Sequence, residues 1–190
     1  MGANGSTDLW EKLGIRSGNI HFMISIRIGI ITISDRSSRG ERPDESGPAL
    51  VKAVTQQGWQ VIRTEIIPDE VELIIKLLIE WADGGEMDLI LTTGGTGFSP
   101  RDFTPEATQE VIQRPTPGLA EAMRSASSRI TTHAMLSRAT AGIRARTLIV
   151  NLPGSPLGAI DNFAVLVPIL PHAIELLRED ASAETGHRKD

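Results

Sequence analysis

The chain contains no cysteine. Disulfides, thiolate nucleophiles, zinc ribbons and iron–sulfur ligation are therefore excluded together. Its four histidines, His21, His133, His172 and His187, are scattered, and no two share a helix face at ligand spacing. Long apolar runs are also missing. The best candidate, residues 163–177, is interrupted by Pro168, Pro171, His172 and Glu175. It reads as two buried helical pieces, short of the roughly 18 apolar residues a membrane span needs. Asp8 and Glu11 near the N-terminus, with no apolar h-region, argue against a secretory signal. Basic residues are outnumbered, 19 Lys plus Arg against 24 Asp plus Glu, for a net charge of -5. That balance argues against a surface built to coat nucleic acid. A soluble, cytoplasmic protein with neither membrane nor nucleic-acid partner is expected.

What is present is ordinary globular composition, 40% hydrophobic and 23% charged over 190 residues. One domain of that size buries roughly 70% of its unfolded surface. Residues 1–25 read as a flexible extension. Met1-Gly2 with Ser6 matches the loose myristoylation pattern, but the same stretch suits a simple leader. Residues 26–178 form the expected domain and residues 179–190 a frayed polar tail. Within the domain, β-branched runs at 26–34, 59–67, 87–93 and 147–151 predict strands. Helical spacing at 48–57, from Asp69 through Trp81, at 119–129 and on to Leu177 predicts the crossovers. Thr104-Pro105 reads as an N-cap followed by proline at the first helical position. Trp59, Trp81, Met123 and Met135 read as packing residues. This alternation predicts an α/β domain of three layers, a mainly parallel sheet with helices on both faces. Ligands of such sheets bind beyond the carboxyl ends of the strands.

The central candidate is Thr92-Thr93-Gly94-Gly95-Thr96-Gly97, between an apolar strand and a proline-started helix. Glycines let the backbone turn tightly and aim several N–H groups at one oxyanion. The spacing matches neither a dinucleotide fingerprint nor a P-loop. Its neighbours are Arg101 and Asp102, with Ser34-Asp35 after the first strand and Asp69 after the second. Two bare carboxylates 4 Å apart repel by about 4 kcal/mol at an effective dielectric near 20. A divalent cation relieves this, and Mg²⁺ held by one or two carboxylates and phosphate oxygens is the usual choice. Asp69 with Glu72 also fits a capping box, so capping and phosphate chemistry both stand open for it. Asp35 fits a turn aspartate equally well, and Arg101 a solvated side chain. Asn151-Leu152-Pro153-Gly154 is a second glycine turn where Pro153 and Gly154 let backbone approach a ligand. Nothing local distinguishes Ser137-Arg138.

The run from Leu89 to Thr108, LILTTGGTGFSPRDFTPEAT, resembles the molybdopterin adenylyltransferases of molybdenum cofactor synthesis. The likeness extends to Thr32-Ile33-Ser34-Asp35, Asp44 with Ser46-Gly47-Pro48, and Ile67-Pro68-Asp69-Glu70. It continues through Thr116-Pro117-Gly118-Leu119, Met135-Leu136-Ser137-Arg138 and Asn151-Leu152-Pro153-Gly154, so it covers most of the chain. The resemblance implies AMP transfer from MgATP to the phosphate of molybdopterin, with ATP as co-substrate and pyrophosphate as second product. It implies Asp69 and Asp102 as the catalytic pair, here assigned to Mg²⁺ directly or through water. It implies a site lined by the Gly94–Gly97 loop and Ser137. Ser34, Asp35, Thr93, Gly94, Gly95, Thr96, Gly97, Arg101, Pro153 and Gly154 are the accompanying binding candidates, Arg101 for the leaving pyrophosphate. A homotrimer is implied as well. Larger members carry a fused molybdate-insertion domain, so a separate insertion protein is expected to receive the product. The alternatives are a non-catalytic molybdopterin-binding or delivery protein, and another phosphate-handling enzyme on the same fold.

Overall fold

The computed structural model describes residues 24–179. The expected extension with its acylation pattern, and the tail, lie almost wholly outside the described residues. β1 (Arg27–Ile33) is the strand on which the sheet is built. Both its faces are covered, so it is rich in isoleucine: Ile28 and Ile30 enter one core, Ile31 and Ile33 the other. A single helical turn, α1 (Asp35–Ser38), follows, and α2 (Ser46–Gln56) crosses to β2 (Gln60–Ile67), parallel to β1. The chain returns through α3 (Val71–Asp83) on the other face to β3 (Leu89–Thr93), which pairs with β1 from the opposite side. Winding therefore reverses between β1 and β3, which makes a crevice at their carboxyl ends.

The remaining elements are α4 (Thr104–Val111), β4 (Arg114–Pro115), α5 (Pro117–Ser128) and a 3-10 turn at Thr132–Leu136. They continue with β5 (Ala141–Arg144), β6 (Thr147–Leu152), α6 (Pro156–Leu166) and α7 (Leu170–Arg178). Sheet order is β2-β1-β3-β6-β5-β4, with the first four strands parallel, β5 antiparallel to β6 and β4 antiparallel to β5. The predicted three-layer α/β architecture is thus observed. On one face α2, α5, α6 and α7 supply Leu50, Met123, Phe163 and Ile174; on the other α3 and α4 supply Leu78, Trp81 and Val111. Trp59 meets Phe163 edge-on, ring centres 6.0 Å apart. Met135 departs from expectation, being 71% exposed on the 3-10 turn. Thr104 also departs: Phe103 occupies the cap position, and the Thr104 hydroxyl instead donates to the Gly94 carbonyl at 2.9 Å. The apolar stretch at 163–177 is divided between α6 and α7, bent by 64°. Among the described residues no single helix is long and apolar enough to cross a membrane.

At the opposite edge of the sheet, Asp88 ties three elements. It accepts from the Arg27 backbone N–H at 2.8 Å, from the Arg27 guanidinium at 3.0 Å, and from Arg178 of α7 at 3.0 Å. Burial alone would push this carboxyl up, but the Arg178 and Arg27 hydrogen bonds overcome it and hold the pKa at about 2. A depressed carboxyl stabilises the fold above its unfolded pKa and loses that contribution as pH falls through the folded value. Asp88→Asn should therefore lower stability at pH 7 by about 2 kcal/mol. Urea unfolding across pH should show the gap to the native sequence shrinking between pH 4 and 2.

Candidate active site

The parallel strands end level with one another. Ile33 pairs with Ile67, Thr32 with Thr93, and Thr93 with Leu152. The turns that follow therefore open on one edge, and they carry Asp35, Asp69, Gly94–Gly97 and Pro153–Gly154. At the centre, Gly94 and Gly95 have φ of 109° and 62°, in the left-handed region. A side chain on Gly94 would collide with the Ile33 carbonyl oxygen, and one on Gly95 with the Thr104 hydroxyl. Only a Gly-Gly pair makes this turn.

Asp35 and Asp69 are tied reciprocally. The Asp35 N–H donates to Asp69 Oδ2 at 2.8 Å, and the Asp69 N–H donates to Asp35 Oδ1 at 3.1 Å. Arg101 grips both oxygens of Asp35 at 2.8 Å and donates to the Asp69 carbonyl at 3.1 Å. Its guanidinium holds the Asp35 carboxyl below the usual carboxylate range. Asp69 moves the other way: burial raises it, and the charges of Asp35 and Asp102 add to that. Glu70, not Asp69, stands at the cap of α3, and no side chain caps that helix. The capping alternative for Asp69 is thereby removed.

Asp102 accepts the Ser99 N–H at 2.9 Å. Its loop is held from behind by Arg138. The Arg138 backbone N–H donates to the Thr96 carbonyl at 3.0 Å and its Nε to the Gly97 carbonyl at 2.7 Å. Its terminal nitrogens reach the Asp102 carbonyl and the Glu106 carboxylate. One guanidinium thus engages carbonyls on both arms of the loop, which helps fix where the Asp102 carboxylate stands. Arg138→Met should cost about 10²-fold in turnover through misplacement of that group. Glu106→Gln, which keeps the carbonyl contacts, should cost far less; steady-state kinetics on both variants checks this.

Two cavities flank this ridge. One, of about 430 Å³, is lined by Thr96, Gly97, Ser137 and Pro153 together with Arg124 and His133. The other, of about 630 Å³, is lined by Ser34, Asp35, Asp69, Thr93, Gly94 and Arg101. Gly95, Asp102, Gly154 and Ser155 line both. Every catalytic or binding candidate drawn from the sequence borders one cavity or the other, although not all present a side chain. Ser34 caps α1 by accepting the Ser37 N–H, and the buried Thr93 hydroxyl donates to the Pro153 carbonyl at 2.7 Å. A larger cavity of about 860 Å³ lies toward the start of β6, away from these acids.

Sequence reasoning missed Arg36, Arg39 and Arg42 on the second cavity, and Arg124 and His133 on the first. The three arginines at a regular spacing of three, in a polar loop, were the available signal. Arg124 and His133 had none, being brought in by α5 and the 3-10 turn. Among the described residues no three His, Asp or Glu side chains form a protein-only metal cage. Asp69 and Asp102 nevertheless each keep one carboxylate oxygen without a hydrogen bond from any described residue. That donor set fits a Mg²⁺ shared with phosphate oxygens.

Residues 29–172 match the family model described as a probable molybdopterin binding domain. Gephyrin of Dictyostelium discoideum is 42% identical over 173 residues, which covers 85% of this chain but only 24% of gephyrin. The molybdopterin adenylyltransferase of Helicobacter pylori is 41% identical over 157 residues, 82% of this chain and 89% of that protein. Among solved structures, the molybdopterin biosynthesis enzyme MoaB of Thermus thermophilus superposes with a TM-score of 0.77 at 49% identity. It covers 82% of this chain and 98% of its own.

Proposed function

The chain belongs to the molybdopterin-binding domain family of molybdenum cofactor biosynthesis, and from that premise we propose that it transfers AMP from ATP to the phosphate of molybdopterin. A phosphate oxygen of molybdopterin bonds to the α-phosphorus of ATP. The bond from that phosphorus to the bridging oxygen breaks, and its electron pair leaves with pyrophosphate. The nucleophile is a phosphate monoester, largely dianionic at neutral pH because its second pKa is about 6. No histidine or thiolate is needed to deprotonate it, which agrees with a chain that has no cysteine.

What remains difficult is bringing two anions together in line. The observation that carries the reading is the pairing of Asp69 and Asp102 beside the Gly94–Gly97 turn, where two cavities meet. Asp69 and Asp102 would hold Mg²⁺, which when bound offsets the negative charge of the phosphates. The amides of Gly95 to Gly97 hold phosphate oxygens, and Asp102 stands where both cavities reach it. Asp35 and Arg101 act on Asp69, fixing its loop through the reciprocal hydrogen bonds. Ser137, Pro153 and Gly154 complete the wall of the smaller cavity.

The same reading includes a homotrimer in the cytoplasm that passes its product to a separate molybdate-insertion protein. Apolar side chains such as Ile130, 75% exposed, and Leu157, 70% exposed, supply surface for such assembly. Incubation of the full chain with molybdopterin, ATP and Mg²⁺ tests the reaction. An AMP-linked molybdopterin and one pyrophosphate per product are expected by mass and phosphate analysis. Tight molybdopterin binding with ATP unconsumed would leave a delivery protein instead.

A further inference from the structure

One wall of the cavity of about 630 Å³ has no part in the scheme above. It is the segment from α1 to α2, which brings Arg36 of α1 and Arg39 and Arg42 of the loop after it to the cavity that also holds Asp69 and Asp102. This segment is anchored at both ends. At its start the Asp35 N–H is bound by Asp69. At its far end Asp44 accepts from the Thr32 hydroxyl of β1 at 2.7 Å and from the N–H groups of Ser46 and Gly47 at 3.1 Å. Across its middle the Glu41 N–H donates to the Arg36 carbonyl at 2.9 Å. The arginines are thus carried on a fixed segment.

Charge pairing then separates them. Arg101 is occupied by Asp35, so the cation first expected to meet the leaving group is already engaged. Arg39 is held by Glu41. Arg36 and Arg42 make no salt bridge or hydrogen bond to a carboxylate among the described residues; Glu41, which Arg39 holds, feels the Arg36 charge only at longer range. Arg42 also borders a small adjoining pocket with Gly154 and Ser155, the turn shared by both main cavities. Two unpaired guanidiniums therefore face the cavity where Asp69 and Asp102 concentrate negative charge. Guanidinium is the side-chain group best shaped to grip phosphate oxygens through paired N–H donors.

We propose that Arg36 and Arg42 form a subsite for the β- and γ-phosphates of the nucleotide, and hence for the departing pyrophosphate. This inference rests on the adenylyl-transfer reading and adds to it a basis for choosing triphosphates. The subsite binds inorganic pyrophosphate with Mg²⁺ by itself, and AMP gains nothing from it.

Calorimetric titration of the full chain with Mg²⁺-pyrophosphate, MgATP and AMP tests this, using Arg36→Gln, Arg42→Gln and the double variant. The double variant should weaken pyrophosphate and ATP by 10- to 100-fold and AMP by less than twofold. Lysine at both positions should restore part of the loss, and an unchanged melting temperature should show that the loop is intact. Pyrophosphate affinity that is the same in the double variant overturns the subsite. So does an equal loss for AMP and ATP, which would place the arginines on the α-phosphate or on loop shape. An AMP-linked product formed with arginine-independent pyrophosphate binding removes the subsite and keeps the reaction. Arginine-dependent pyrophosphate binding without any AMP-linked product removes the reaction and keeps the subsite.

Discussion

Asp102→Asn should lower turnover by about 10²–10³ while the protein unfolds at the same temperature as the native sequence. The magnitude is that of losing one fixed electrostatic contact to a charged transition state. The unchanged stability follows from how Asp102 is held. One oxygen accepts the Ser99 N–H, a role that the amide oxygen of Asn can keep. Its carbonyl, not its carboxylate, meets Arg138. The charge is thus spare as far as the fold is concerned. Asp69→Asn should behave alike for activity but differ in stability. Burial raises the Asp69 carboxyl, and a raised acid contributes stability only while protonated, so its ionised form is a cost at neutral pH. Asp69→Asn should therefore melt at the same or a higher temperature. For the same reason native activity should fall as pH drops through the raised Asp69 value, since a proton then competes with the metal. Normal turnover by Asp102→Asn at saturating Mg²⁺ would remove the metal assignment.

The parts legible in the sequence are those in which one residue pattern has one physical outcome. A β-branched run buried on both faces reads as a central parallel strand, and β1, β3 and β6 were recovered within a few residues. Gly94-Gly95 after such a strand announced a turn that needs left-handed backbone. The carboxylates could be gathered to one edge because parallel strands end together. Illegible were β4 and β5, of two and four residues, too short for alternation to show. Asp69 could not be resolved between cap and site, because its deciding partner, the Asp35 N–H, lies 34 positions away. Arg138 was silent for the same reason: its Nε binds the Gly97 carbonyl 41 positions back. Thr104 misled because its hydroxyl met a carbonyl across the loop, Gly94, in place of its own helix. Where a residue acts on its neighbours, the sequence speaks. Where it acts across strand ends, only the assembled edge does.

Gly94→Ala should fail in the fold before it fails in the chemistry. At φ of 109° an alanine is outside the backbone region that side chains tolerate, a strain of roughly 1–3 kcal/mol. The new Cβ would also press on the Ile33 carbonyl of the neighbouring strand. That oxygen belongs to the backbone at the carboxyl end of β1, a strand paired on both sides, and cannot easily turn aside, so overpacking adds about 1–3 kcal/mol more. A loss near 4 kcal/mol would take a large share of the whole stability of a domain this size. Gly118→Ala, in open space within α5, supplies the contrast and should be neutral or stabilise by up to about 1 kcal/mol. Urea midpoints of the two variants separate the cases. If Gly94→Ala unfolded at the native midpoint yet lost turnover, the glycine would be required by the bound phosphate and not by β1. The turn that carries the site is instead expected to be a condition for closing the sheet, which ties the presence of the pocket to the presence of the fold.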